Sequence, residues 1–350
     1  MIGIALMLSA LVAGPDDDGR ARSVYRPEMF ETLVNPACSH CVDEARRKAG
    51  ELHDDDRVLA WVRGKYDGGA IPYRWFLVPY RVISDTYGVF VYDADADFVR
   101  GYPASLDYRF HGWRDGVMVM RHKDGTLFDC LTGKAFDGPR AGETLAPIPT
   151  VETDWGPWLK AHPGTVAYAM VAKFQPRPLP ESPSSESRRT RPAPDPRLDP
   201  EAKVFGLSLG GASVAWPLDS FGKGPGVRRV TVGGSPATIL WDGRTRTAAA
   251  YAPETETEGT PGLPATLSVV PDDPEAPWVD RETGSRWSVV GRAVSGPRQG
   301  QALRWLPGVT VKWYAWSASY PTTSLDVPQG VPGGTEPGPR LRPRAQRSSK

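Results

Sequence analysis

Two cysteines near the start of the chain are the first residues that could carry chemistry. Cys38 and Cys41 frame the tetrapeptide CSHC, which contains His40 and precedes VDEARRKAGEL, a stretch that predicts a helix. A helix N-terminus stabilises a thiolate, and the same spacing supplies half of a zinc site that His40 or His53 could extend. The sequence lacks both a second such pair and a βαβ pattern. A disulfide, an inert pair, a metal site and a redox pair all remain open.

Three aspartates alternate along VYDADADFVRGY, at Asp93, Asp95 and Asp97. In a strand their carboxylates project from one face, and in a loop they can converge on a hard cation such as calcium. An EF-hand loop requires glycine where Phe98 stands and glutamate where Ala104 stands, so this is not an EF-hand. A solvated strand or turn face is the simpler interpretation. A divalent metal is the one cofactor that these residues suggest.

All five histidines precede the middle of the chain, and two of them fall in FHGWRDGVMVMRHKDG. This segment places His111, Trp113, Arg121 and His122 close together along two predicted strands. Histidine and arginine beside an indole suit an anionic or aromatic ligand. These four residues form the candidate ligand site, and the alternative is that they are exposed polar residues of a hairpin.

Motifs for nucleophilic catalysis and dinucleotide binding are missing from the sequence. It contains no Gly-x-Ser-x-Gly elbow and no Rossmann fingerprint. Cys130 lies beside Leu131 in a predicted strand, where a small buried thiol is expected. Three cysteines are too few, and odd in number, for a disulfide scaffold.

A long internal repeat defines the elements around the candidate residues. GKAFDGPRAG returns as GRAVSGPRQG, and a gapless alignment pairs residues 133–165 with 291–323 at an offset of 158. Thirteen of these 33 positions are identical, whereas composition alone gives about two. The identical residues, numbered in the first copy, are Gly133, Ala135, Gly138, Pro139, Arg140, Gly142, Leu145, Pro149, Val151, Trp155, Trp158, Pro163 and Thr165. The repeat predicts two homologous domains in tandem, each with its own core.

Both copies predict short strands joined by glycine turns, followed by one short helix. GVMVM and TLF flank a Lys-Asp-Gly turn in the first copy, and LSL and ASVAW flank Gly210 and Gly211 in the second. The predicted helices are TDWGPWLKAHP, with Thr153 as its N-cap, and VKWYAWSASYP. Each carries two tryptophans three residues apart, a spacing at which indoles usually pack in a core. With 37 glycines and 36 prolines, the fold class is mainly β, and Gly-Pro-Arg-x-Gly is interpreted as a structural turn.

These residues carry a family resemblance. LFDCLTGKAFDGPRAGETL followed by ETDWGPWLKAHPGT resembles the bacterial family known as domain of unknown function 3179, and VDRETGSRWSVVGRAVSGPRQGQAL followed by VKWYAWSASYPTT resembles it again. The resemblance implies two tandem copies, at roughly 56–170 and 202–325, in an exported or membrane-associated protein without an assigned reaction. Family members commonly carry a Cys-Pro-x-Cys-Gly segment suited to a soft metal or redox chemistry. The corresponding stretch here, residues 91–102, has no cysteine.

Segments outside the copies differ from them in composition. Residues 2–12 form an apolar run before an acidic break, which predicts a signal peptide and export to the periplasm or cell envelope. The run is too short to span a bilayer, so no transmembrane helix is expected in the mature chain. The stretch 175–200 is too rich in proline for a helix or a sheet interior and predicts a solvated spacer. With 42 basic and 41 acidic residues, the chain shows no electrostatic footprint for nucleic acid.

The predicted organisation has six segments: a signal peptide at 1–14, an N-terminal segment with the cysteine pair and a short helix at 15–55, a β-rich copy at 56–174, a proline-rich linker at 175–200, a second β-rich copy at 201–326 and a disordered basic tail at 327–350. The duplicated residues are turn formers and core aromatics, not titratable groups. The leading interpretation is therefore a non-catalytic binding or interaction module of the cell envelope, with an unidentified ligand or envelope partner. The alternative is a metal- or thiol-dependent enzyme or redox protein that uses Cys38 and Cys41 or the first-copy histidines.

Overall fold

The computed structural model describes residues 21–36, 52–63, 67–73, 80–168, 185–256, 261–270, 272–273 and 276–326. Within these ranges the protein is mainly β, as predicted, and 25 strands form six sheets, lettered A to F below. The α-helices in the described ranges are no longer than seven residues. None of them has the length and apolar character needed to cross a membrane.

Three sheets are built from the first half of the chain, whose strands lie between residues 23 and 167. Sheet A has the order β12-β3-β4-β13, with β3 at Arg57–Arg63, β4 at Asp67–Pro72, β12 at Thr150–Asp154 and β13 at Val166–Ala167. Sheet B has the order β2-β5-β6-β7, with β2 at Glu31–Val34, β5 at Tyr80–Ser84, β6 at Val89–Asp93 and β7 at Phe98–Tyr102. Sheet C has the order β1-β8-β9-β10-β11, with β1 at Ser23–Tyr25, β8 at Tyr108–Arg114, β9 at Val117–His122, β10 at Leu127–Asp129 and β11 at Ala135–Asp137.

The other three sheets are built from the second half, whose strands lie between residues 203 and 325. Sheet D has the order β24-β14-β15-β25, with β14 at Lys203–Leu209, β15 at Ala212–Pro217, β24 at Val309–Lys312 and β25 at Ser324–Leu325. Sheet E has the order β16-β17-β18-β23, with β16 at Pro225–Val232, β17 at Ser235–Asp242, β18 at Thr247–Thr255 and β23 at Leu303–Leu306. Sheet F has the order β19-β20-β21-β22, with β19 at Leu267–Val269, β20 at Trp278–Asp280, β21 at Arg286–Trp287 and β22 at Ala293–Ser295.

Sheets A and D share one connectivity. In each, an antiparallel hairpin pairs with a third antiparallel strand from much later in the chain, and the last short strand adds in parallel. Residues 166 and 324, which the repeat offset of 158 relates, both pair in parallel, with residue 69 in sheet A and residue 214 in sheet D. Sheets B and E each contain a three-stranded antiparallel meander, and sheets C and F each contain a four-stranded one. The strands added to these meanders differ between the halves. In the first half β1 joins sheet C and β2 joins sheet B, whereas in the second half β23 joins sheet E.

A short tryptophan-bearing helix connects the last two strands of sheet A and of sheet D. These helices are α1 at Trp155–Ala161 and α3 at Trp313–Ser319, and α2 at Ser185–Arg189 and a 3-10 turn at Leu218–Phe221 complete the described helical segments. Asp154, not Thr153, is the N-cap of α1, and β12 remains paired with β3 as far as Asp154. All four helix tryptophans are at most 1% exposed, which confirms the prediction that they are core residues.

The tryptophans and the repeated glycines make matching contacts in the two halves. The indole Nε1 of Trp158 donates to Thr165 at 3.0 Å, and that of Trp316 donates to Thr323 at 2.9 Å. Gly138, Gly142, Gly296 and Gly300 have φ between +86° and +94°, which side chains rarely adopt. The Gly-Pro-Arg-x-Gly sequence is therefore a structural turn in both halves, as predicted.

The halves do not have separate cores. Trp313 and Trp316 of α3 belong to the cluster that holds Tyr102, Met118 and Phe128 of the first half. Sheet D contributes Val204 and Val311 to the same cluster. The expectation of one independent core per half is therefore wrong, because α3 is apolar around most of its surface and must be covered on two sides.

Arg57 of sheet A ties the first half to the second. Its guanidinium binds Glu152 at 3.0 Å and Asp154 at 3.0 Å within the sheet, and donates to the carbonyl oxygens of Thr245 and Arg246 at 2.5 and 2.8 Å in the β17–β18 turn. Burial opposes its charge, but the charge of Glu152 and its neighbours outweighs burial and raises the pKa of Arg57. The arginine is thus a buried cross-link between the halves.

An equivalent contact runs in the opposite direction. Lys203 stands at the position in sheet D that Arg57 occupies in sheet A, and it forms an ion pair with Asp97 in the β6–β7 turn. The backbone N–H of Lys312 donates to the carbonyl oxygen of Ala96 in the same turn at 2.9 Å. The β17–β18 turn of the second half therefore contacts sheet A, and the β6–β7 turn of the first half contacts sheet D.

The end of the proline-rich segment is packed, which corrects the prediction of a solvated spacer up to residue 200. Ser187 and Thr190 are fully buried, and the Thr190 hydroxyl accepts a hydrogen bond from the N–H of Gly116 at 3.0 Å. The Asp195 carbonyl accepts a hydrogen bond from the indole of Trp313 at 3.2 Å. The proline-free stretch SSESRR permits one helical turn, and hydrogen bonds from the first half and α3 hold the rest in place.

Candidate functional site

A groove of about 700 Å³ lies beside the predicted ligand residues at one end of sheet C. Strands β8 and β9 form its floor, and residues 27–32, which lead into β2, form its opposite wall. His111, Arg121 and His122 line it, together with residues that the sequence did not single out. Its volume is that of a small-molecule site.

Two arginines lie directly opposite each other on the floor. Arg109 of β8 and Arg121 of β9 are cross-strand partners, and both are exposed, whereas their neighbours Phe110 and Met120 point into the core. The register of β8 shifts between Phe110 and Gly112, so His111 lies in an irregularity and lines the groove with Arg109. Like charges facing each other across antiparallel strands are destabilising, so this pair is a local cost to the fold.

Backbone hydrogen bonds and ring contacts hold the opposite wall against β8. The N–H of Arg26 donates to the His111 carbonyl at 2.9 Å, and the N–H of Phe110 donates to the Thr32 hydroxyl at 2.8 Å. The ring of Tyr25 lies 4.7 Å from that of His111, and Phe30 meets Phe110 edge-on at 5.1 Å. The wall is therefore fixed before any ligand arrives.

The charges in the groove are unevenly matched. Lys123 pairs with Asp107 at 2.9 Å, and His122 pairs with Asp124 at 3.0 Å. Arg109 donates only to the carbonyl oxygens of Leu106 and Tyr108, and among the described residues no carboxylate pairs with Arg109 or Arg121. The floor therefore keeps two positive charges without an acidic partner.

The protonation state of His111 follows from its surroundings. Burial, and then the charge of Arg121, lower the pKa of His111 to about 4. The imidazole is thus neutral near pH 7 and offers one N–H donor and one nitrogen acceptor to the groove. On the opposite wall, Glu28 and Glu31 line the cavity and give it an acidic side.

Trp113, the fourth predicted ligand residue, does not line the groove. It is 2% exposed and packs edge-on against Phe110 at 5.3 Å within the core. Regular strand alternation would place residue 113 on the same face as Arg109, but the register shift between Phe110 and Gly112 reverses the phase of β8 and turns Trp113 into the core. It supports the floor from below.

The aspartate triplet forms the β6–β7 turn. Asp93 is 1% exposed, and its carboxylate accepts hydrogen bonds from the N–H groups of Asp95, Ala96 and Met118. Burial, and then the charge of Asp95, raise the pKa of Asp93 to about 7. The backbone already occupies both carboxylate oxygens, and Asp97 pairs with the second half as described above. Metal binding by the triplet stays a prediction.

Only one of the three cysteines lies among the described residues. Cys38, His40 and Cys41 lie outside the described residues. Cys130 is fully buried, and burial raises the pKa of its thiol well above the usual range, so it is the inert core thiol that the sequence predicted. No group of three or more His, Cys, Asp or Glu side chains converges as a metal site within the described ranges.

The chain belongs to the family described as "Protein of unknown function (DUF3179)", whose family model matches residues 113–323, more than half of its length. The match is one continuous span that begins in β8 and ends just before β25. It does not show two tandem copies of the family domain. Neither a curated protein nor a solved structure matches the chain.

Sequence reasoning missed Arg109 and the wall formed by residues 27–32. The alternation of Arg109 and His111 in YRFHGW was a usable signal, since residues two apart share a strand face. No local pattern connects Phe30 or Glu31 to a strand that lies about 80 residues later in the chain.

Proposed function

We propose that the protein is a non-catalytic binding module whose groove on sheet C takes a small ligand with an anionic group. The observation that carries this proposal is the facing pair Arg109 and Arg121, exposed and without carboxylate partners among the described residues. Paired guanidinium groups bind a carboxylate or phosphate with two-point hydrogen bonds. A bound anion relieves the repulsion that the fold otherwise bears.

The walls suggest the rest of the ligand. Phe30 and the neutral ring of His111 line the groove and offer faces for an aromatic or planar group. Glu28 and Glu31 lie on the side opposite the arginines and favour a positive group at the far end of the ligand. A zwitterionic aromatic molecule therefore fits the groove better than a simple anion.

Nuclear magnetic resonance titration of the full chain tests the proposal. The probes are benzoate, 4-(aminomethyl)benzoate and, as an uncharged control, benzyl alcohol. We expect the zwitterion to bind most tightly and the alcohol not to bind, with shifts centred on Arg109, His111 and Arg121. Equal binding of all three probes, or shifts elsewhere in the protein, would contradict the proposal.

The second half supplies a matched variant. Ser268 and Val279 of sheet F occupy the strand positions that Arg109 and Arg121 occupy in sheet C. The double change Arg109→Ser and Arg121→Val should weaken benzoate binding at least tenfold. It should also stabilise the protein by roughly 0.2–1 kcal/mol, because the like-charge pair is removed. Unchanged affinity in a folded double variant would rule out the groove.

The two halves, we propose further, are homologous copies within a single family domain. The thirteen identities at a constant offset, the shared connectivity of sheets A and D and the matching Trp–Thr hydrogen bonds support this. The continuous family match runs across both halves, as one domain built from two copies would require. A crystal structure in which sheets A and D differ in strand order would overturn it.

Export to the cell envelope is also a proposal, supported by the apolar run at residues 2–12 and the acidic break after it. N-terminal sequencing of protein recovered from a secreting bacterium should find a chain that starts at residue 14 or 15. An intact N-terminus would contradict the proposal.

The alternative is a metal- or thiol-dependent enzyme or redox protein that uses Cys38 and Cys41 or the first-copy histidines. Metal content of the purified protein, compared with a Cys38→Ser variant, tests it. Stoichiometric zinc or copper that disappears in the variant would favour the enzyme.

A further inference from the structure

A second cavity of about 700 Å³ lies at the opposite end of β8 from the groove. Its walls come from residue 21, from the end of the proline-rich segment and from α3. We propose that this cavity binds a phosphate group carried by a small organic molecule, and we name it the Arg188–Tyr314 site. This site does not depend on the groove on sheet C.

Arginines dominate the charge of the site. Arg188, Arg189 and Arg191 all line it and follow one another around the end of α2. Arg189 pairs with Glu186 at 3.3 Å, whereas Arg188 is exposed and has no carboxylate partner among the described residues. Guanidinium groups are the side chains best suited to phosphate because they donate two parallel hydrogen bonds.

The inner wall is preorganised. The guanidinium of Arg191 lies 3.8 Å above the ring of Tyr314, and Arg191 also pairs with Glu201. Lys312 binds the second carboxylate oxygen of Glu201 at 2.9 Å. Burial opposes ionisation of Glu201, but Lys312 and Arg191 outweigh burial and lower its pKa. One carboxylate is therefore shared by two cations.

A buried donor in the wall independently indicates a ligand. Tyr314 is 3% exposed and lines the cavity, yet its hydroxyl has no hydrogen-bond partner among the described residues. A buried hydroxyl without a partner costs free energy, and burial raises the pKa of Tyr314 well above its usual range. The group therefore remains an O–H donor, which a phosphate oxygen can accept.

The size and the remaining walls indicate an organic phosphate, not the bare ion. Pro192, Pro194 and Pro200 line the cavity with rigid apolar surface. The charged side chains that line the cavity are three arginines, at positions 188, 189 and 191, and one carboxylate, that of Glu201. The excess of two positive charges matches a phosphomonoester dianion, and the volume exceeds what inorganic phosphate fills.

The anchoring of the segment shows that the site is part of the fold. The hydroxyl of Thr190 accepts a hydrogen bond from the N–H of Gly116 in the β8–β9 turn, and the Pro200 carbonyl accepts a hydrogen bond from the N–H of Tyr314 at 3.0 Å. Contacts at both ends of residues 190–200 fix this stretch, which carries Arg191, relative to Tyr314.

Isothermal titration of the full chain with phenyl phosphate, inorganic phosphate and benzoate tests the site. We expect phenyl phosphate to bind more tightly than inorganic phosphate. Arg188→Ala should weaken phenyl phosphate about tenfold, and Tyr314→Phe, which keeps the ring, should weaken it a few-fold. Thermal melting confirms that each variant is folded, and Arg188 is exposed enough that its loss leaves the core intact.

The groove variant Arg109→Ser with Arg121→Val is the control and should bind phenyl phosphate as the natural chain does. Loss of phosphate binding in that variant, with retention in Arg188→Ala, would overturn the Arg188–Tyr314 site and place the anion in the groove. Unchanged affinity in both Arg188→Ala and Tyr314→Phe would also overturn it. Tighter binding of inorganic phosphate than of phenyl phosphate would reject the organic ligand. Because the benzoate experiments use different variants, failure here leaves the groove proposal untouched.

Discussion

Sheets C and F use the same strand arrangement but carry opposite kinds of surface. The facing arginines of sheet C correspond to Ser268 and Val279 in sheet F, at the same register positions. The one arginine next to that pair in sheet F, Arg286, is neutralised by Asp272 at 2.6 Å. The strand arrangement therefore does not require the arginine pair of sheet C. Because the pair lowers the stability of the fold, its presence has to be explained by something other than folding.

The cross-links between the halves show a second contrast. Arg57 is buried and satisfies two carboxylates and two carbonyl oxygens, whereas its counterpart Lys203 is about half exposed and makes one ion pair. Equivalent backbone positions thus carry unequal shares of the contact between the halves. This difference is the one that mutation should show most strongly.

The largest effect is expected from Arg57→Ala. The change leaves Glu152 and Asp154 partly buried without their cation, and loss of one partner of a buried pair costs about 3–5 kcal/mol. Lys203→Ala should cost roughly 0–1 kcal/mol, as exposed ion pairs do. Urea unfolding of both variants measures the difference. Equal losses would mean that the two contacts are energetically equivalent despite their burial.

An acid-dependent effect is expected from His162, which stacks on Trp158 at 4.1 Å and is 5% exposed. Burial, and then Arg292, lower its pKa to about 4, below the unfolded value of about 6.5. As pH falls from 6.5 to 4, the unfolded chain gains a proton that the folded chain does not. Stability present above pH 6.5 is therefore lost, by about 3 kcal/mol at pH 4.

The second half suggests the control, because the ring of Tyr320 lies 4.2 Å from that of Trp316 in the matching position. His162→Phe removes the titrating group and keeps a ring, so the variant should lose about 3 kcal/mol less than the natural chain between pH 6.5 and pH 4. Urea unfolding across that range provides the measurement. Parallel pH profiles for the two proteins would show that His162 does not titrate as described.

The smallest effect is expected from moving the arginine pair into sheet F. We compare the double variant Ser268→Arg, Val279→Arg with the double variant Ser268→Gln, Val279→Gln. The arginine variant should be less stable by about 1 kcal/mol or less, because like charges repel across the paired strands. The arginine variant should not gain affinity for benzoate, because within the described ranges no strand equivalent to β2 and no wall equivalent to residues 27–32 accompanies the second half. Benzoate binding by this variant would mean that two facing arginines suffice for a site.

Local features of the fold were predictable because they depend on single residues. Glycine marks the positive-φ positions of the turns, and tryptophans three apart mark the buried face of a helix. Thr153 has the hydroxyl of a capping residue, but the strand continues through Asp154, so the helix begins one residue later than predicted. Capping preference describes the helix alone and takes no account of a sheet that competes for the same residue.

Features that join distant parts of the chain were not predictable. The sequence pattern assigned each half its own core, because it cannot show that α3 packs on sheets of the first half. Residues 185–200 looked like a solvated spacer, because proline density says nothing about the buried contacts of Thr190. In the groove, three of the four predicted residues lie together, while Arg109 and the opposite wall depend on pairings that only the folded chain forms.

The pairing of sheets A and D has a kinetic consequence. In each sheet the opening hairpin finds its third strand only after about a hundred further residues, as the bond between Arg57 and Glu152 shows across 95 positions. During synthesis the edge of each hairpin therefore stays unpaired until the intervening strands have been made. These strands are β5 to β11 for sheet A and β16 to β23 for sheet D. Long-range closure of this kind is slow, on the order of milliseconds to seconds, so the molecule should be most vulnerable to aggregation while it is being made.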